Sequence, residues 1–379
     1  MTVRQDLIDA LEGRTPRRTP LSAYDWEMGA VTDDELGSAM QDDAWRRLLD
    51  AGLGVRHHCN TVRAVERGVE ASVTEQTRDG SVYRTETKTT PVGSISKVTR
   101  DGWHYEDWIK TPHDYKVQQW IIEHTELEPD YDAFHRAEEI VGNRGVVAVC
   151  GSRLWQHRTP AMSINVDWAG TERFCMDVAS EVTELHDLYE ASRKLFLEEQ
   201  RLLAAGPGRY VVWFENLTIN MLGPRRYDEL LMSVYREAVP VLVEGGKRVF
   251  VHYDGALAAI AERIAEAPFH GIDSLTEPPE GDMNYDRCRE VWPNMVFWAN
   301  INVDLYARPA EELAQAVIDK RRRAGKRGLA FEISEQLPAN WRESIPVVLE
   351  ALNNLNPNET TPPGRYRVRP PRRGGEEVL

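Results

Sequence analysis

The side chains of this chain best able to do chemistry lie at the ends of short apolar runs. RVFVHYDG (248–255) sets His252 and Asp254 two residues apart, on one face of an extended segment. RYVVWFENLT (209–218) carries Trp213 and Glu215 on one face, with Asn216 just beyond, and RGLAFEIS (327–334) pairs Glu332 with Ser334. NMVFWANIN (294–302) aligns Trp298 with Asn300 and Asn302, and LGVRHHC (53–59) ends in His57 and His58. A His-x-Asp pair with distant glutamates supplies the ligand types of a divalent ion, and the same groups serve general acid–base work. Carboxylates brought into low dielectric cost several kcal/mol unless a metal, a cation or a proton compensates. Glu215, His252, Asp254 and Glu332 are therefore the candidate catalytic groups. His252, Asp254, Glu332 and Ser334 are the candidate metal ligands. His57, His58, Trp26, Trp103, Trp213, Asn216 and Asn300 are the candidate substrate contacts.

Such groups need a scaffold that gathers strand ends. Six largely apolar runs, at 145–151, 209–218, 247–255, 270–277, 294–302 and 327–334, turn polar at their last residues. Amphipathic segments at 180–205, 224–245, 255–267, 308–325 and 340–354 lie between and after them, the alternation of repeated β-then-α units. TPLSAYDW (19–26) and LGVRHHC (53–59), flanking a helix at about 40–52, add two more strands. Eight such units predict an α/β fold, a TIM (β/α)8 barrel, whose catalytic groups project from the C-terminal strand ends.

Residues 60–112 break this rhythm. ASVTEQT, SVYRTETKTT and SISKVTR alternate polar and β-branched residues around Asp79-Gly80, which predicts an antiparallel β insertion after the second strand. Trp103 and Trp108 follow it. One domain over residues 1–355 is expected, with the Pro-, Arg- and Gly-rich segment 356–379 as a loose tail.

The sequence has 379 residues, with 61 acidic against 46 basic side chains and a formal net charge of −15. That balance argues against nucleic acid or an anionic membrane as partner, since both need clustered positive charge. No apolar run approaches the length of a membrane span, and the N-terminus lacks the apolar core of a signal peptide. The four scattered cysteines read as reduced thiols, so a cytoplasmic location is expected.

The segment ENLTINMLGPRRYDELLMSVYREAVPVLVEGGKRVFVHYDG (215–255) resembles the uroporphyrinogen decarboxylase superfamily. The likeness continues through HGIDSLTEPPEGDM (270–283), VWPNMVFWANIN (291–302) and RGLAFEISEQLP (327–338). It implies a TIM barrel. The porphyrin decarboxylases of that superfamily carry an arginine-rich RQAGRY segment after the first strand and an FSD-type aspartate. Here DWEMGAVTDDE follows the first strand, and the strand ends are anionic. The corrinoid-dependent methyltransferase branch is more similar. In its thiol-methylating members a His-x-Cys pair and a later cysteine hold zinc. His252 matches the histidine, Asp254 stands at the first cysteine, and the last match falls near Glu332–Glu335, with Ser334 closest in character. Oxygen ligands in place of thiolates favour zinc with open positions or a harder ion.

The resemblance thus implies methyl transfer to or from a corrinoid protein with a small methylated substrate. The corrinoid would be supplied by a partner chain, with no nucleotide cofactor; a homodimer is expected on the same ground. Two alternatives stay open: a decarboxylase or other lyase acting on a small carboxylated molecule, and a ligand-binding barrel without turnover.

Overall fold

The computed structural model describes residues 2–30 and 32–354; the tail expected at 356–379 lies outside them. Eight parallel strands close a barrel: β1 (Leu21–Tyr24), β2 (Gly54–Asn60), β3 (Gly145–Cys150), β4 (Tyr210–Trp213), β5 (Arg248–His252), β6 (Gly271–Leu275), β7 (Val296–Asn300) and β8 (Leu329–Glu332). Each strand pairs with its sequence neighbour, and β8 returns to β1 through Ser22 opposite Glu332. The eight-strand expectation holds, strand by strand.

Side-chain alternation splits the core into two layers. Tyr210, Val212 and Phe214 join Phe250, Trp298 and Ala330 inside the barrel, and Val211, Trp213, Val249 and Val251 pack outward against the helices. Helix Val3–Leu11 closes the N-terminal end, with Leu7, Ala10 and Leu11 sealing the inner cluster. At Gly145 an added Cβ would lie 1.9 Å from the carbonyl oxygen of Val55, so β2 and β3 approach there only because the residue is glycine.

The inserted segment forms a four-stranded antiparallel sheet, Glu70–Arg78, Ser81–Thr90, Gly93–Arg100 and Trp103–Glu106, with Asp79 and Gly80 at positive φ in its first turn. Pairing extends beyond residue 112: strand Val62–Glu66 pairs with Thr125–Pro129, and helix Pro112–Glu123 leads into that return strand. The short, mixed TELEP run at 125–129 has too little alternation to announce a strand. Among the described residues, no helix is long and apolar enough to cross a membrane, and all four cysteines are unpaired.

Candidate functional site

The C-terminal mouth of the barrel is organised around one buried cation. Arg56 of β2 points inward and is fully buried. Its Nη2 donates to Asp273 Oδ2 at 3.0 Å, and its Nη1 contacts Asp273 Oδ1 and, at 2.5 Å, Glu332 Oε1. The guanidinium lies 4.0 Å from the Trp298 ring centre. Tyr24 donates to the second Glu332 oxygen at 2.5 Å. Burial alone would raise the Asp273 carboxyl, but Arg56 and His252 hold it well below the usual range. Burial, with the charge of Asp273 beside it, pushes Glu332 upward despite Arg56.

His252 stands on this base. Its Nδ1 faces Asp273 Oδ2 at 3.0 Å, which fixes the ring and leaves Nε2 for the mouth. Nε2 is buried, lies 3.1 Å from Glu335 Oε1 off the hydrogen-bonding direction, and has no hydrogen-bond partner among the described residues. Asp254 completes a group of three: ligand atoms of His252, Asp254 and Glu335 all lie within 4.8 Å of one another. Burial opposes a charged imidazole, yet Asp273 and Glu335 outweigh it and push His252 up to about 10. Burial raises Asp254, and the charge of Glu335 adds to this, against the lowering effect of His252. The site therefore favours a positive charge between the two carboxylates. A buried imidazole nitrogen, oriented from behind by a carboxylate and facing two more carboxylates, suits a divalent ion with open positions. Asn300 borders the group, its amide 3.4 Å from Glu335 Oε1.

A second cluster occupies the side of the mouth formed by β1 and β2. Asp25 accepts from the His58 backbone N–H at 2.7 Å, faces His57 Nδ1 at 2.7 Å and lies 3.2 Å from His58 Nδ1. Burial would raise Asp25, but His58, through its ring and its backbone N–H, and the His57 imidazole hold it well below the usual carboxylate range. The other nitrogen of His57 faces Asp33 at 2.8 Å, and the two carboxylates raise His57 against burial. His58 is lowered, chiefly by burial, with Asp25 opposing and Arg56 reinforcing the shift. Trp26, 39% exposed, stacks on Tyr24 at 4.0 Å and on His58 at 4.9 Å. Phe214 joins the clusters: its ring centre lies 5.1 Å from His58, 5.4 Å from His252 and 5.7 Å from His157.

The expected set is thus only partly brought together. His252 and Asp254 meet, but Glu332 is committed to Arg56 and Tyr24 inside the barrel, so the third member of the group is Glu335. Ser334 is buried one residue before it. Strand β8 ends at Glu332, and alternation stops being a guide beyond that point. Glu215 is turned outward: Thr159 donates to it at 2.9 and 3.2 Å and Tyr235 at 2.7 Å, a fully buried anchor for the loop after β3. Trp213 faces the same way, stacked on Tyr235 at 5.7 Å, and Phe214 takes the mouth position. Asn216 is exposed at φ 48°, a left-handed turn position that asparagine tolerates. Trp103 lies on the edge strand of the inserted sheet, 81% exposed. His57 links two carboxylates, and His58 and Trp26 line the mouth.

Sequence reasoning passed over Asp273 and His157, and reached Glu335 only as the end of the stretch matched to the last zinc ligand. Asp273 reads as one polar residue in an apolar strand. His157, at φ 66°, faces Asn60 Oδ1 at 2.6 Å, a position that no local pattern announces.

No family model matches this chain, and no curated protein matches it. Among solved structures, it is similar to a methyltransferase from Methanosarcina mazei, with a TM-score of 0.55 and 13% identity over 93% of this chain and 98% of that one. A B12-independent methionine synthase from a Shewanella species aligns more loosely, with a TM-score of 0.43 and 11% identity over 88% of this chain and 96% of that one. At these identities the first likeness is one of fold, the TIM barrel; the second carries no argument.

Proposed function

We propose that this chain is an enzyme that transfers a methyl group between a small methylated substrate and a corrinoid carried by a separate protein. The observation that carries the reading is the convergence of His252 Nε2 with the Asp254 and Glu335 carboxylates at the barrel mouth. The resemblance to the corrinoid-linked branch, and a fold shared with a methyltransferase, support the choice of methyl transfer.

In this reading His252, Asp254 and Glu335 hold zinc or a harder divalent ion, with Asp273 orienting the imidazole from behind. Such an ion, when bound, supplies Lewis acidity that stabilises negative charge on the heteroatom gaining or losing the methyl group. Phe214 and Trp26 shape an apolar wall beside that position, which keeps water from the transferred carbon. Asn300 offers its amide beside Glu335.

The decarboxylase reading is less well supported. Recognition of a carboxylated substrate favours an arginine fork, and Arg56, the guanidinium inside the mouth, is already engaged by Asp273 and Glu332.

Two measurements test the proposal. Protein purified without chelators should hold about one equivalent of a divalent ion, lost in His252→Ala and in Glu335→Ala. The wild-type chain should also move methyl groups between methylcobalamin and small thiols, or from methylated donors to cob(I)alamin. Metal content unchanged by His252→Ala would sink the ligand set. No corrinoid-dependent transfer over a panel of donors and acceptors, or with candidate corrinoid proteins, would sink the activity.

A further inference from the structure

His58 has a buried ring nitrogen that the metal site does not use. Its Nδ1 faces the Asp25 carboxylate, which accepts only, so Nδ1 carries the proton and Nε2 presents a lone pair. Nε2 is fully buried and has no hydrogen-bond partner among the described residues. Leaving a buried polar atom unsatisfied is unfavourable, a cost that a hydrogen-bonding ligand would remove. His58 and His252 both lie against the Phe214 ring, their centres 5.1 and 5.4 Å from its own, which places the two imidazoles on the same side chain of the mouth. Trp26, partly exposed, forms the cover over His58.

We infer that His58 is the proton acceptor of the reaction, with Asp25 as its positioning residue, acting on the X–H group of the methyl acceptor. The inference rests on the methyl-transfer reading above. In the forward step the acceptor's proton moves to His58 Nε2 and the X–H electron pair stays on X. That pair forms the X–CH3 bond as the bond from methyl to its donor, a methylated corrinoid, breaks with its electrons left on the donor. In reverse, the His58 imidazolium returns the proton to X as the methyl group departs. Asp25 holds the imidazolium charge in both directions. The charged groups that act on His58 are Asp25, Arg56 and Asp273, with His57 behind Asp25 and His157 across Phe214. Burial and Arg56 favour the neutral ring, the form that accepts a proton.

The test has two arms. In the first, nitrogen NMR of histidine-labelled full-length protein at pH 7, with the His58 signal assigned by its loss in His58→Gln, should show a neutral Nδ1–H tautomer. In Asp25→Asn that tautomer preference should weaken. An Nε2–H tautomer or a charged ring in the wild type overturns the dyad whatever the activity. In the second arm, with methylcobalamin and mercaptoethanol as probes, His58→Gln should lower kcat about 10²–10⁴-fold with the bound metal retained. It should also abolish the acid limb of the kcat/KM profile. A loss below tenfold, or one that follows loss of metal, overturns the role. Absence of transfer by the wild type refutes the methyl-transfer reading instead, and the first arm then decides the dyad.

Discussion

Arg56→Met tests whether the mouth rests on a buried ion network. The guanidinium is fully buried, donates to both oxygens of Asp273, reaches Glu332 at 2.5 Å and packs 4.0 Å from the Trp298 ring centre. Methionine keeps most of the volume and removes the charge, which leaves two carboxyls in low dielectric with His252, Tyr24 and Ser274 as their remaining partners. Breaking a buried pair by removing one partner costs about 3–5 kcal/mol. The expected loss at pH 7 is therefore about 3–5 kcal/mol in equilibrium unfolding followed by tryptophan fluorescence. Burial already holds Glu332 above its ordinary value, and losing Arg56 moves both carboxyls upward, so the folded state gains affinity for their protons relative to the unfolded one. The deficit is then full above the raised values and shrinks as pH falls through them. Adding Glu332→Gln removes one of the two acceptors that Arg56 joins, so the double-mutant cycle should show a coupling of about 1–3 kcal/mol. A loss of less than about 1 kcal/mol for Arg56→Met, or strict additivity with Glu332→Gln, would refute the network as described.

Asp273→Asn removes the carboxylate behind His252 and should weaken metal binding about 10–100-fold, as outer partners of metal-bound histidines do; titration with zinc in a chelator buffer reads it. Trp213→Ala should cost about 3–5 kcal/mol of stability with metal content unchanged, because Trp213 packs among the helices; lost metal with stability intact would return it to the mouth. Trp103→Ala should change stability by no more than about 0.5 kcal/mol and leave turnover unaltered; a turnover defect would bring Trp103 to the substrate. Asp25, held low in the fold, contributes stability that is full above its unfolded value of about 4 and is lost as pH falls below it. Asp25→Asn should flatten that acid limb, and an unchanged limb by urea midpoint would contradict the pairing with His57 and His58.

The barrel was legible because continuous apolar strands and amphipathic helices repeat with few exceptions, and both periods are local properties. The site was legible where alternation persists. His252 and Asp254 share a face because the inward parity of β5 continues past its end. Alternation failed at β4, where only the outward set could be told from the inward one by knowing which side the helices take: Val211, Trp213 and Glu215 read as plausibly inward as Val212 and Phe214. It failed again after Glu332, where a turn carries Glu335 to the mouth. Asp273 was hidden for another reason. Its role depends on Arg56, 217 positions earlier in the chain, and a pairing at that separation leaves no trace in local periodicity.

The acidic strand ends change meaning once their partners are known. Glu215 is closed by Thr159 and Tyr235, Glu277 by Lys320 and Arg323, Asp25 by His57 and His58, and Asp273 and Glu332 by Arg56. Each of these carboxylates has its compensation within the fold and needs no ligand to justify its burial. Asp254 and Glu335 differ, since among the described residues the cationic group that acts on them is the imidazole of His252, with a backbone N–H at Asp254 and the Asn300 amide at Glu335 beside it. Two carboxylates sharing one imidazole, which also serves Asp273, remain short of positive charge, whereas at Arg56 the upward shift of Glu332 and the Tyr24 hydroxyl relieve the second carboxyl. A divalent ion replacing the imidazole proton corrects that deficit, which is the electrostatic reason to place it there and nowhere deeper in the barrel.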